Sequence, residues 1–354
     1  MGGLIPASDD QGLGEGYHSP QVSVQVRLNT NESPYPPPRA FVDALTEAVA
    51  TLPLHRYPDR RATALRAALA ELHGVGPDQV FAGNGSNEVL QVLLSTYGGP
   101  GRTIAVFEPT YALHAHIARL TRTKVVVGER HPDFTLDLGE VKRVLSEARP
   151  EITFLCSPNN PTGGAESAAT VAEVLDLAPG LLVVDEAYGQ FAPWSALQLV
   201  ADGVGLAVVR TYSKTWSMAA ARLGYLVGPA PLVCELEQRA LPYHLDALKQ
   251  AAGRLALEYR AEMEARVALL TDERARLAAG LAALAVEAWP SDANFILFRP
   301  LARDGAEVWR ELVERSVLVR NCSSWARLEG CLRVTVGTRE ENDAFLAALA
   351  EVLS

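Results

Sequence analysis

Short apolar runs alternate with longer amphipathic stretches through the first two thirds of the chain. Runs at 80–82, 103–107, 152–155, 181–184 and 205–209 are too short for helices and are bounded by turn-forming residues. They read as buried strands. Between and before them, apolar residues recur at helical spacing over 39–52, 62–73, 89–97, 112–120, 138–148 and 167–177. Strands and helices in alternation predict an α/β fold with a large, doubly wound, mostly parallel sheet.

The pattern changes after residue 230. Residues 231–284 are almost unbroken helix pattern, with Pro242 as the expected kink. Strand patterns at 293–298, 317–320 and 331–337 then alternate with helix patterns at 305–315 and 340–353, the outline of a smaller α+β unit. At the other end, 22–28 alternates like a short strand. Residues 29–38 hold four prolines, which bias their predecessors to extended backbone. The expected organisation is an N-terminal arm (1–38), a large domain (39–270) and a small C-terminal domain (271–354). The glycines at 12, 14 and 16 have no strand before them and read as terminus rather than phosphate loop.

Composition narrows the function. A net charge of −10 argues against a general nucleic-acid or anionic-membrane binder, while leaving room for a local anion pocket. The four cysteines form no C-x-x-C pair, so no zinc or redox motif is indicated, and His114 and His116 are spaced to different faces of their helix. Residues 1–10 have neither a basic nor an apolar signal region, and no apolar run is long enough to span a bilayer. A cytoplasmic protein with reduced thiols is the expectation.

The candidate chemistry collects where strands end. In open parallel sheets, ligands bind outside the carboxyl ends of the strands. Tyr111, Asn160, Asp185, Tyr188 and Lys214 all sit just past the ends of predicted strands, so they should share one crevice. A lysine there can condense with a carbonyl. Thr211, Ser213 and Arg222 beside it suit a phosphate, as does the turn-to-helix stretch with Gly85, Ser86 and Asn87, whose backbone N–H groups would face an anion. An aldehyde that is also a phosphate ester fits both halves, and that combination points to pyridoxal 5'-phosphate. Asp185 would hold the proton on the cofactor's ring nitrogen, though a strand-end aspartate taken alone reads first as the cap of the next helix. Asn160 and Tyr188 could hydrogen-bond the ring's phenolic oxygen, and Tyr111 could stack on its face. Arg320 and Arg333, on consecutive small-domain strands, offer planar forks for carboxylate or phosphate, or simply surface ion pairs. With an amino acid as substrate, Lys214 could shuttle a proton between two carbons, and transamination is the simplest reaction these parts support.

Six motifs occur in one order: 27–35 (RLNTNESPY), 56–59 (RYPD), 83–88 (GNGSNE), 157–163 (SPNNPTG), 184–188 (VDEAY) and 331–338 (CLRVTVGT). In these the chain resembles the fold-type I pyridoxal-phosphate aminotransferases and, among them, the histidinol-phosphate aminotransferase family. The resemblance implies a homodimer in which Tyr57 reaches the cofactor phosphate of the neighbouring subunit. It implies that Ser86, Asn87, Ser213, Arg222 and Thr211 hold the phosphate within a subunit. Tyr17, Arg320, Arg333 and Tyr243 would lie around the substrate. The implied reaction moves the amino group of L-histidinol phosphate to 2-oxoglutarate. Asn87 stands where the family has aspartate, Trp216 where it has phenylalanine, Ala220 where it has glycine, and His244 where asparagine is commoner. Relatives acting on aromatic amino acids or decarboxylating phosphothreonine share the same motifs.

Overall fold

The computed structural model describes residues 22–354. The N-terminal calls, Tyr17 and the glycines at 12, 14 and 16 among them, lie outside the described residues.

A short strand, β1 (Val26–Leu28), opens the described chain and is followed by two helices, α1 (Arg39–Thr51) and α2 (Thr63–His73). The large sheet takes the next seven strands: β2 (Val80–Gly83), β3 (Thr103–Glu108), β4 (Lys124–Glu129), β5 (Ile152–Cys156), β6 (Leu181–Asp185), β7 (Leu206–Thr211) and β8 (Gly224–Val227). Their order is β2-β8-β7-β6-β5-β3-β4. β8 runs antiparallel to both its neighbours, and the remaining pairs are parallel.

Successive residues of the central strands feed opposite cores. Ile104, Val106, Val183, Ala207 and Val209 pack with α3 (Gly85–Tyr97), α4 (Leu113–Leu120) and α7 (Ala230–Arg239). Ala105, Leu182, Val184, Leu206 and Val208 pack with α5 (Leu138–Ala148) and α6 (Ala168–Leu177). Strands covered on both faces must be apolar at every position, which is why they stand out as continuous runs.

The predicted long helix with a kink at Pro242 is corrected. The segment is three helices: α7 stops at Arg239, α8 runs Ala247–Glu258 and α9 Arg260–Ala282. Pro242 disfavours helical backbone at the residue before it, and Ala240, two residues ahead, is already extended. The chain turns rather than bends. Helix α9 contributes Met263 to the core beneath α2 and α8, and Leu270, Leu277 and Leu281 to the second core.

That second core underlies a five-stranded sheet completed by β9 (Val286–Ala288), β10 (Phe295–Pro300), β11 (Val317–Asn321) and β12 (Leu332–Thr335), in the order β1-β11-β12-β10-β9. Helices α10 (Gly305–Glu314) and α11 (Arg339–Leu353) cover it. Strand β1 pairs in parallel with β11, Leu28 opposite Val319. The chain just beyond it therefore passes between the two sheets. Among the described residues no helix is long and apolar enough to cross a membrane.

Candidate active site

Parallel pairing aligns the carboxyl ends of β5, β6 and β7. Cys156 lies opposite Asp185, and Asp185 opposite Val209. The loops leaving these ends surround a cavity of about 320 Å3. Of the residues singled out from the sequence, Ser86, Asn87, Tyr111, Asn160, Asp185, Tyr188, Thr211, Ser213, Lys214, Arg222 and Arg333 line it. Residues 30–32 line it as well, which the sequence did not suggest.

One end of the cavity is a cradle of donors. Helix α3 begins at Gly85, four residues ahead of the expected start, so Ser86 and Asn87 occupy its first turn and their N–H groups have no intrahelical partner. Gly85 does not itself line the cavity. It has φ +77°, and a Cβ there would sit 2.8 Å from Arg222 Nη2. Its missing side chain is the space Arg222 fills. On β8, a Cβ at Gly224 would lie 2.3 Å from the Ser86 nitrogen, so that glycine lets the sheet edge approach the helix start. Arg222 is left-handed at φ +51°. Its Nη1 donates to Ser213 Oγ at 3.4 Å, and Thr211 Oγ1 donates to the same hydroxyl at 3.0 Å. N–H groups, hydroxyls and a guanidinium converge there, the chemistry that holds a phosphate.

Asp185 is fully buried, with 1% exposure. The cause is α4, which lays His114 over the strand end. His114 Nε2 is 3.0 Å from Asp185 Oδ2, and the imidazole stacks on Phe154 at 4.7 Å. Asp185 Oδ1 accepts the Ala187 N–H at 3.0 Å. Sequence reasoning weighed His114 only as a metal ligand and missed this contact, which bridges 71 residues. Beside Asp185, burial and then the aspartate's charge hold the Cys156 thiol far above its ordinary pKa, so it stays protonated.

Lys214 crosses the cavity from the end of β7. Its Nζ donates to Thr30 O at 3.0 Å and lies 5.7 Å from the Tyr188 ring centre. Burial first and then the charge of Arg333 bring its pKa down from 10.5 to about 7; Glu32 pulls the other way, and Arg222 adds the smallest lowering effect. A neutral amine is therefore well populated near neutrality, as a nucleophile or proton acceptor requires.

Arg320 and Arg333 are directly opposed across β11 and β12. Both are buried, so the surface ion-pair reading does not hold for either. Arg333 donates to Asn160 Oδ1 and, at 3.0 Å, to Asn29 O, and reaches the cavity. Arg320 lies over the Trp325 ring at 5.5 Å and does not line the cavity. Tyr57 and Tyr243 stack on each other at 4.6 Å on the surface, Tyr57 with 81% exposure, and neither enters the cavity of its own chain.

The family model for aminotransferase class I and II matches residues 23–349. A histidinol-phosphate aminotransferase of Rhodococcus jostii is 45% identical over 95% of this chain and 90% of its own. One from Mycobacterium marinum is 42% identical over 98% of this chain and 92% of its own. The crystal structure of the Sinorhizobium meliloti histidinol-phosphate aminotransferase, in complex with pyridoxal-5'-phosphate, superposes with a TM-score of 0.85. It is 22% identical and covers 93% of this chain and 91% of that one, a likeness of fold.

Proposed function

Because the chain belongs to the class I and II aminotransferases, and among them to the histidinol-phosphate aminotransferase family, we propose that it transfers the amino group of L-histidinol phosphate to 2-oxoglutarate. The products are imidazole-acetol phosphate and L-glutamate, a step of histidine biosynthesis. The enzyme depends on pyridoxal 5'-phosphate. The observation that carries the reading is the pairing, across one cavity, of a lysine with a depressed pKa and a buried carboxylate, beside a separate cradle of anion donors.

The residues fit the cofactor. Ser86 and Asn87 at the start of α3, with Thr211, Ser213 and Arg222, would hold its phosphate. Lys214 would hold its aldehyde carbon, and Asp185 its ring nitrogen. Asn160 and Tyr188 would serve the phenolic oxygen, and Tyr111 the ring face. Bound there, the cofactor supplies an electron sink for the carbon that carries the amine. The protein's own work is positional and acid–base. Asp185 has one oxygen committed to the Ala187 N–H and the other to His114, which fixes the plane of the carboxylate. As a neutral amine, Lys214 Nζ would take the proton from the donor's amine-bearing carbon and then act as the acid that returns it. Arg333, with Arg320 behind it, supplies charge for the phosphate of one substrate and a carboxylate of the other. Gly85 serves by leaving space for Arg222.

The proposal includes a cytoplasmic homodimer built from the arm, large and small domains set out above. Tyr57 would reach the neighbour's phosphate site, and Tyr17 and Tyr243 would complete the substrate pocket. Exposure of the Tyr57–Tyr243 stack, away from its own cavity, supports a role across an interface.

The test is turnover of the protein loaded with pyridoxal phosphate, with 2-oxoglutarate as acceptor and either L-histidinol phosphate or L-phenylalanine as donor. Preference for histidinol phosphate by about 10²-fold or more in kcat/KM is expected. Preference for phenylalanine moves the protein to an aromatic substrate, and turnover of neither donor overturns the assignment.

A further inference from the structure

Asn31 lies in the extended segment between the two sheets, 1% exposed and left-handed at φ +54°. All its polar groups are engaged. The backbone N–H donates to Thr335 Oγ1 at 2.9 Å, and the carbonyl accepts from Asn294 Nδ2 at 3.2 Å. The Thr335 hydroxyl donates in turn to Asn31 Oδ1 at 3.1 Å. With Oδ1 so occupied, Nδ2 faces the cavity and donates to Tyr188 Oη at 2.9 Å. Asparagine tolerates this backbone conformation better than other residues with a side chain, but glycine would satisfy it equally well. The backbone alone does not call for an amide here.

We infer that Asn31 is a positioning residue for Tyr188, its amide fixing the direction in which the tyrosine hydroxyl donates. An amide N–H can only donate. At Oη it takes an acceptor position of the phenol and turns the phenolic proton away from residue 31. A proton turned that way is available to the phenolic oxygen of the cofactor, whose anionic form it stabilises. The inference rests on the aminotransferase reading, since it gives Tyr188 a cofactor to serve. It also ties that tyrosine to the small sheet. Thr335 is two residues along β12 from Arg333, so the strand that carries the substrate-binding arginine also holds the residue that orients the tyrosine.

Two substitutions separate this role from a structural one. Asn31→Asp keeps size and shape but offers only acceptors, so the tyrosine proton is drawn toward residue 31. Asn31→Gly keeps the left-handed backbone and its backbone hydrogen bonds to Thr335 and Asn294, and removes the side-chain amide, with its bonds to Tyr188 and from the Thr335 hydroxyl. The readout is the pH midpoint at which the visible absorbance of the bound cofactor changes. A phenolic oxygen deprived of its donor holds the neighbouring proton more tightly, so the midpoint rises. We expect a rise on the order of one pH unit in Asn31→Asp and a smaller one in Asn31→Gly. In a Tyr188→Phe background, Asn31→Asp should move nothing further. Unchanged midpoints in both variants overturn the inference. So does a shift that persists without the tyrosine hydroxyl, or loss of cofactor binding by both variants. If the wild-type protein itself develops no visible band with pyridoxal phosphate, the failure belongs to the functional reading instead.

Discussion

Replacing Lys214 by methionine should end catalysis and yet make the cofactor-free protein more stable. Folding takes the Lys214 ammonium out of water and sets it near Arg333 and Arg222, and its pKa falls from 10.5 to about 7. At 1.36 kcal/mol per pH unit, that difference corresponds to nearly 5 kcal/mol. The cavity is open to water on one side, so a gain on the order of 2–4 kcal/mol is the reasonable expectation. The sign and the pH window follow from linkage. Below pH 7 both folded and unfolded lysine are protonated, and the fold bears the whole cost. Between pH 7 and 10.5 the unfolded chain keeps the proton that the folded protein has shed, so wild-type stability rises with pH and the gap to the variant closes. Methionine also adds apolar burial, but that gain does not change with pH, so the closing of the gap isolates the electrostatic part. The assay is urea unfolding of both apoproteins at several values from pH 6 to 10. A variant no more stable than wild type at pH 6, or a gap of constant size across the range, would refute the reasoning.

Three further outcomes test separate parts of the site. Gly85→Ala puts a methyl 2.8 Å from Arg222 Nη2 at a backbone with φ +77°, and should weaken cofactor affinity about tenfold or more while costing about 1–2 kcal/mol of stability, measured by cofactor titration and thermal unfolding. Asp185→Ala should lower kcat by about 10²–10⁴-fold with phosphate-anchored cofactor still bound, and full activity in that variant would remove the aspartate from the chemistry. If Tyr57 acts across a dimer interface, mixing a Tyr57→Phe variant with Lys214→Met and allowing subunits to exchange gives hybrids with one intact site; activity should then rise above that of either variant kept alone, and no rise would place Tyr57 outside the partner's site.

The sequence was most legible where burial is two-sided and local. Strands β5, β6 and β7 are buried at nearly every position and show as unbroken apolar runs, with their site residues at the last strand position or up to four residues beyond it. Strand β4 has only one fully buried residue, at the sheet edge, and β9 has none. Strand β8 has four residues and starts two positions after Arg222. None of the three was anticipated. Such strands owe their conformation to the partner they pair with rather than to their own pattern. The end of α7 was misread for a related reason. Apolar spacing continues at helical period past Pro242, and the backbone restriction ahead of the proline outweighs it.

The site divides along the same line. Lys214, Asp185 and Asn160 are legible because topology alone carries them to one edge of a parallel sheet. His114 and Asn31 are not, because each acts through a partner far away in the chain: 71 residues separate His114 from Asp185, and 304 separate Asn31 from Thr335. The distant partners have something in common. Arg333 donates to Asn160 in the loop that leaves β5 and to Asn29 in the extended segment, while Thr335, two residues on, holds Asn31 against Tyr188. One strand of the small sheet thus bears on two of the side chains proposed for the cofactor's phenolic oxygen and on the residue proposed for the substrate's anion. An anion arriving at Arg333 competes for the guanidinium donors that Asn160 and Asn29 now accept. If the proposed roles hold, substrate binding and the hydrogen bonding around the cofactor are linked through the same few atoms, and a change at Arg333 should be visible in the cofactor's spectrum as well as in KM.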